Sequence, residues 1–259
     1  MTGQLKNKVA LVTGGTNGIG EAAVRGLVAE GAQVVFTGGN EEAAARITAE
    51  TGAQFVKHRV QDAAGWAEVS AAVRSLGRLD LAFANAGIHI GDSDIETVEL
   101  DAWRSIVDVN LTGAMLTCKH AIALMRQNPE GSGGSIVLNS SINGILALAG
   151  DVTYSTTKGA LRLLAKSVAV HCAKQKLNIR CNSIHPGVIE TPLIKGAINQ
   201  APNPAEARKL LESVAPVGRL GSTEEIVSLV IYLATDNARF MTGSELVIDG
   251  GATAGLPGV

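Results

Sequence analysis

The stretch Val9-Ala10-Leu11-Val12-Thr13-Gly14-Gly15-Thr16-Asn17-Gly18-Ile19-Gly20 decides the fold. Four apolar residues in a row suit a strand buried on both faces, and a helical period sets in from Gly18. Between the two lies a glycine-rich turn. Glycine lets the backbone approach a phosphate closely and lets the helix pack against the strand. A helix that opens directly after a strand presents free N–H groups and the positive end of its dipole, which favour a pyrophosphate. The spacing Gly14-x3-Gly18-x-Gly20 is not the common GxGxxG, and tight turns also demand glycine. Its position between strand and helix is what points to nucleotide binding.

Outward from this turn, short runs of Val, Ile, Leu and Ala alternate with longer stretches of helical period. Strands are expected at Val9–Val12, Gln33–Phe36, Gln54–Lys57, Leu79–Phe83, Ser135–Asn139, Ile179–Ile184 and Glu245–Ile248. Helices are expected at about 18–30, 41–51, 64–76, 99–127, 153–175 and 223–235. This pattern predicts an α/β chain, a single doubly wound Rossmann-type domain over residues 1–259 with a seven-stranded parallel sheet and helices on both faces. The segment 187–213, with Pro192, Pro202 and Pro204, reads as broken helices forming a substrate flap. The tail 255–259 is too short for a further domain.

Of the 259 residues, 22 are basic and 24 acidic, a formal charge of −2 that offers no footprint for nucleic acid or an anionic membrane. No apolar run approaches a membrane span, and the first residues lack the long apolar core of a secretory signal, so a cytoplasmic location is expected. Cys118, Cys172 and Cys181 show no metal or redox spacing and read as core residues. His58, His89, His120, His171 and His185 likewise have no ligand spacing, and no metal is expected; His89, just after Asn85-Ala86-Gly87, is the candidate for touching substrate. Trp66 and Trp103 read as packing anchors.

The reactive groups lie further along the chain. Tyr154-Ser155-Thr156-Thr157-Lys158 opens a helix, and the four-residue step puts Tyr154 and Lys158 on one face. An unperturbed phenol ionises near pH 10, and an adjacent ammonium favours phenolate. Ser140 and Ser141 end the fifth strand at the carboxyl edge, where doubly wound sheets bind ligands, and either hydroxyl can hold a substrate oxygen. At the end of the second strand, Gly38 and Gly39 stand where an acid would bind ribose hydroxyls or an arginine a 2′-phosphate. A phosphate without a fixed cation is costlier than ribose hydroxyls left to Thr37, Asn40 and backbone, which favours NAD over NADP.

Together, Thr13-Gly14-x3-Gly18-Ile19-Gly20, Asn85-Ala86-Gly87, Asn110, Ser141, Tyr154-x3-Lys158, Pro186-Gly187 with Thr191, and Val247-Ile248-Asp249-Gly250-Gly251 resemble the short-chain dehydrogenase/reductase family in the right order over nearly the whole chain. The resemblance implies hydride transfer between NAD or NADP and a carbonyl or secondary alcohol, with Asn110, Ser141, Tyr154 and Lys158 as the catalytic tetrad. It selects Ser141 over Ser140, gives Tyr154 the acid/base role, and has Asn110 hold a water behind Lys158. It implies cofactor contacts from Gly14, Thr16, Asn17, Gly18, Ile19, Gly20, Gly38, Gly39, Asp62, Asn85, Ala86, Gly87, Tyr154, Lys158, Pro186, Gly187, Val188 and Thr191. Arg59 departs from the pattern, because relatives often carry Asp there to meet the adenine.

Substrate would enter over Ser141, Tyr154, Asn143, His89 and Ile189. Ile88, Ile90, Ile142, Ile145, Leu146, Val188, Leu193 and Ile194 make that entrance apolar, with no arginine for a carboxylate or phosphate. A hydrophobic ketone or secondary alcohol is expected; Ile184-His185-Pro186-Gly187 and Phe240–Glu245 are most similar to bacterial secondary alcohol and hydroxysteroid dehydrogenases. Alternatives are a 3-oxoacyl-(acyl-carrier-protein) reductase, which calls for a basic patch, and a catalytically silent dinucleotide-sensing protein. Leu116, Leu161, Leu164 and Val168 exceed what one sheet face needs, so a homodimer or homotetramer is expected.

Overall fold

The computed structural model describes residues 3–255; Met1, Thr2 and residues 256–259, most of the short C-terminal tail, lie outside the described residues. The strands are β1 Val9–Val12, β2 Gln33–Gly38, β3 Gln54–Lys57, β4 Leu81–Ala84, β5 Gly134–Asn139, β6 Ile179–Pro186 and β7 Glu245–Ile248. They form one sheet of order β3-β2-β1-β4-β5-β6-β7, and every pairing is parallel. The helices are α1 Gly18–Ala29, α2 Glu41–Thr51, α3 Trp66–Ser75, α4 Leu100–Val107, α5 Gly113–Met125, α6 Val152–Lys174, α7 Pro192–Gln200, α8 Pro204–Glu212 and α9 Thr223–Ala234.

Successive residues of a strand face opposite sides, so β1 feeds two cores. Val9 and Leu11 pack with α3, α5 and α6, while Ala10 and Val12 pack with α1, α2 and α9. The doubly wound expectation is met, and each strand lies within a few residues of its expected place. The broken helices expected over 187–213 are α7 and α8. Each begins on a proline, and Thr191 and Asn203 cap them by accepting from Ile194 N–H and Glu206 N–H.

Two expectations are corrected. The helix read as continuous over 99–127 is interrupted by a π-helical turn at Asp108–Thr112 that carries the buried Asn110. A widened turn leaves the apolar period nearly intact, so the pattern could not register it. Leu116 and Leu161 are not a spare apolar face: both sit in the protomer's own core, with Leu164 and Val168 half-buried against it. Three elements, α3, α5 and α6, crowd that side of the sheet and use those side chains.

Trp66 is fully buried between two histidines, the His58 ring edge-on at 5.0 Å and the His120 ring stacked at 4.9 Å. Among the described residues His58 Nε2 has no hydrogen-bond partner. Burial is the leading reason that both imidazoles are pulled below their ordinary value. The unfolded chain therefore binds more protons; the contribution is complete above about pH 6.5 and is lost as pH falls toward the lowered native values. The midpoint of thermal unfolding is expected to drop between about pH 7 and about pH 5, and to drop less in His58→Phe. An equal drop in the variant contradicts this origin.

Candidate active site

The strand order reverses between β1 and β4, and their carboxyl ends part to open a crevice. Thr13, at the end of β1, bridges the parting: its hydroxyl accepts from Asn85 N–H at 3.1 Å and from Ala86 N–H at 3.2 Å. A cleft of about 560 Å³ lies there, lined on one side by Gly14, Asn17, Gly18, Ile19, Asn85, Ala86 and Gly87. Gly14 has φ +67°, and a Cβ on it would stand 2.8 Å from Ala86 Cα. Gly20 packs α1 so tightly on the turn that a Cβ would meet Gly14 O at 2.0 Å. Asn17 occupies the N-cap position of α1 without its side chain capping, which leaves the first N–H groups of the helix and the Asn17 amide for a ligand. Asn139 Oδ1, on the cleft wall, is buried without a hydrogen-bond partner among the described residues. These features fit a dinucleotide.

At the other end of the cleft, β5 delivers Ser140 and Ser141 with different fates. Ser140 is buried and its hydroxyl donates to Lys158 O at 2.7 Å, tying strand to helix. Ser141 caps the short 3-10 turn Ile142–Gly144, accepting from Asn143 N–H, and its side chain hydrogen-bonds the Tyr154 phenol. His185, fully buried, backs this turn: its Nδ1 donates to Ser141 O at 3.2 Å while Nε2 takes the Ser183 hydroxyl at 2.9 Å. Burial holds that imidazole below its ordinary value, in keeping with the neutral form this arrangement needs.

Tyr154 and Lys158 share one face of α6, with the ammonium 5.3 Å from the phenol ring centre. Lys158 Nζ donates to Asn139 O at 2.7 Å, and burial pulls its pKa down to about 8. The expectation that the ammonium lowers the phenol's pKa is not met in the protein alone. Burial pushes Tyr154 up, the Ser141 hydroxyl pulls it down and the Asp151 charge pushes it up. The ammonium stands over the phenol ring, and its own burial weakens its hold on its proton. Asn110, on the π turn, accepts from Ile88 N–H at 2.7 Å and donates to Ile88 O and to the Thr157 hydroxyl. A Cβ on Gly87 would stand 3.3 Å from Asn110 Oδ1 and 3.4 Å from Lys158 Nζ, so this glycine leaves room for both.

The remaining expected residues divide. His89, Ile88, Ile142, Asn143, Pro186, Gly187, Val188, Ile189, Thr191, Leu193 and Ile194 line the cleft. Ile90 is 79% exposed, and neither it nor Ile145 and Leu146 reaches the cleft. Thr16 stands behind, against Gly38, where a Cβ would clash at 2.6 Å, and Gly39 has open space around it. Asp62 is exposed and accepts from Ala64 N–H, capping the turn into α3 rather than facing the cleft.

Sequence reasoning missed Leu148, Asp151 and Leu211 in the lining, and Asp92 beneath it. Asp92 accepts from Tyr154 N–H at 2.6 Å, from Thr153 N–H at 3.1 Å and from Ser93 N–H at 3.0 Å, which outweighs burial and lowers its pKa. No local pattern marks it, because the helix it caps begins 60 residues later in the chain. Asp92→Ala is expected to lower stability by about 1–2 kcal/mol in denaturant titrations, and Asp92→Asn, which keeps an acceptor, by less. Equal losses in the two would contradict a capping role.

A family profile described as enoyl-(acyl carrier protein) reductase matches residues 14–253. The chain is 38% identical to an NADP-dependent (R)-specific alcohol dehydrogenase of Lentilactobacillus kefiri, over 98% of this chain and 100% of that one. It is 37% identical to a 3-beta-hydroxysteroid dehydrogenase of Comamonas testosteroni, over 96% and 97%. It is 39% identical to a 3-alpha-(or 20-beta)-hydroxysteroid dehydrogenase of Mycobacterium tuberculosis strain H37Rv, over 99% and 93%. The chain belongs to the short-chain dehydrogenase/reductase family and is an NAD(P)-dependent oxidoreductase acting on a secondary alcohol or its ketone.

Proposed function

We propose that the protein interconverts a hydrophobic secondary alcohol and its ketone, with Tyr154 as general acid and base. The observation that carries this reading is the Tyr154 phenol on the cleft wall, hydrogen-bonded by Ser141 and backed by Lys158. In reduction, Tyr154 gives its proton to the carbonyl oxygen, which Ser141 holds; in oxidation the phenolate takes the hydroxyl proton back. Lys158 would bind the nicotinamide ribose, and Asn110 fixes the backbone of Ile88 behind it. The cofactor, when bound, supplies or accepts the hydride at its nicotinamide. Gly14, Asn17, Gly18 and Ile19 would hold its phosphates, Asn85, Ala86 and Gly87 its ribose side, and Pro186, Gly187, Val188 and Thr191 its carboxamide. The segment 187–213 acts as the substrate flap: α7 and α8 are joined through Glu190, which pairs with Arg208 and Lys195.

Tyr154→Phe is expected to lower turnover by about 10²–10⁴-fold while cofactor affinity, read by nicotinamide fluorescence, holds. Unchanged turnover would remove Tyr154 from the chemistry, and binding with no turnover in the wild type on any ketone would favour the dinucleotide-sensing alternative. Because oxidation needs the phenolate and reduction the phenol, oxidation is expected to speed up as pH rises through the Tyr154 ionisation of the cofactor complex and then level, while reduction is flat and then falls.

NAD is the preferred cofactor in this reading, on the ground that no cation stands at Gly38 and Gly39 and that Lys57, opposite Gly38, is paired with Glu41. The relative of L. kefiri is NADP-dependent by name, and one observation favours that second choice. Arg59 is exposed, has no ion-pair partner among the described residues, and follows His58, whose N–H points to Gly38 O at 3.4 Å. Kinetics with NADH and NADPH distinguish the two: a strong NADPH preference that disappears in Arg59→Ala overturns the NAD assignment. The alcohol and steroid relatives favour a free small molecule over a carrier-protein thioester. Further, Met115, Leu163 and Val170 leave apolar surface on α5 and α6, which supports a homodimer or homotetramer. The three buried free thiols fit a cytoplasmic location.

A further inference from the structure

Two carboxylates stand at the N-terminus of α6, and they have unlike surroundings. Asp151 occupies the N-cap position, where an aspartate ordinarily accepts from the first N–H groups of its own helix. Here it does not, because Asp92 reaches in from the loop after β4 and takes the N–H groups of Thr153 and Tyr154. Among the described residues the Asp151 side chain has no hydrogen-bond or ion-pair partner. Half-buried, it lines the cleft three residues before the reactive phenol.

The rest of the lining has little to answer a carboxylate. Lys158 is the only cation there among the described residues, and its ammonium is engaged by Asn139 O beneath Tyr154. None of the flap's three cations lines the cleft: Lys195 and Arg208 are paired with Glu190, and Lys209 stands beside them on α8 outside the lining. His89, Asn143 and Ser141 are the other polar side chains near the phenol; most of the surface around them is Ile88, Ile142, Leu148, Val188, Ile189, Leu193, Ile194 and Leu211. An unanswered carboxylate in such a wall repels an anion and rewards a hydrogen-bond donor.

We infer that Asp151 sets substrate specificity: the cleft takes secondary alcohols and ketones that carry a second donor, a hydroxyl or an amine, beyond the reacting carbon, and rejects those that carry a carboxylate there. This rests on the reading above that such alcohols and ketones are the substrates. The feature is not a capping residue in disguise, since the capping bonds are made by Asp92. Nor does it act through the phenol alone. An influence on Tyr154 changes the rate for every ketone alike, whereas selection between substrates changes their ratio.

The test uses three ketones with the cofactor the enzyme prefers: cyclohexanone, 4-hydroxycyclohexanone and 4-oxocyclohexanecarboxylate. In the wild type, kcat/KM for the keto acid is expected at least about tenfold below that for cyclohexanone, and the hydroxyketone is expected to equal or exceed cyclohexanone. In Asp151→Asn the ratio of keto acid to cyclohexanone is expected to rise about tenfold. In Asp151→Ala the advantage of the hydroxyketone is expected to fall about threefold. As a check that needs no variant, raising the salt concentration should lift the keto-acid ratio in the wild type by screening the repulsion. Ratios that stay within about twofold in both variants and at both salt levels overturn the role of Asp151. Failure to reduce any ketone with either cofactor instead overturns the underlying reading, and this one with it.

Discussion

The Lys158 ammonium lies buried under the cleft floor, and a buried cation must either be held by polar groups or lose its proton. Asn139 O supplies the direct contact, and burial brings the ammonium to about 8. Much of the site is arranged around that side chain. Gly87 lacks a Cβ where one would press on it, Ser140 ties its backbone to β5, and Asn110 is brought alongside by a π turn in an otherwise regular helix. Tyr154 stands one helical turn before it, so whatever fixes the start of α6 also fixes the distance between phenol and cation.

That start is fixed from far away in the sequence. Asp92 lies in the loop that follows β4, the same loop that carries Asn85, Ala86 and Gly87 to the mouth of the crevice. By capping α6 at Thr153 and Tyr154 it joins the Asn85–Gly87 side of the cleft to the helix that carries Tyr154 and Lys158. His89, in the same loop, sets its ring edge-on to Tyr154 at 6.1 Å. The phenol is thus located by backbone bonds on one side and by Ser141 on the other, a preorganised geometry of the kind that proton transfer requires.

Much of this was legible in the sequence, because strands buried on both faces read as uninterrupted apolar runs and the turn at Gly14–Gly20 admits few alternatives. β1, β3 and β7 fall at their expected residues, Tyr154 and Lys158 share a helix face as their spacing implies, and Ser141 meets Tyr154 as the family resemblance implies. What stayed hidden depends on tertiary contacts. The π turn at Asp108–Thr112 inserts into a helix without disturbing its apolar stripe. Leu116 and Leu161 looked surplus until the crowding of three helices on one sheet face gave them a place. Asp92 and Asp151 carry no local signal, since the role of each is decided by the other across a long loop. The balance at Tyr154 was also beyond a pattern: a neighbouring cation suggests a more acidic phenol, and burial reverses the sign.

Burial keeps the Tyr154 phenol protonated in the protein alone, and the positive ring of an oxidised nicotinamide set beside it would favour the phenolate. The chain has two tyrosines, Tyr154 and Tyr232, so carbon-13 labelling at the tyrosine ζ position gives two resonances to follow with pH. The Tyr154 signal is expected to titrate above about pH 10 in the free protein and to move markedly lower when oxidised nicotinamide dinucleotide is added. A free-protein value at or below that of an ordinary phenol, or one that the cofactor leaves unmoved, would contradict it.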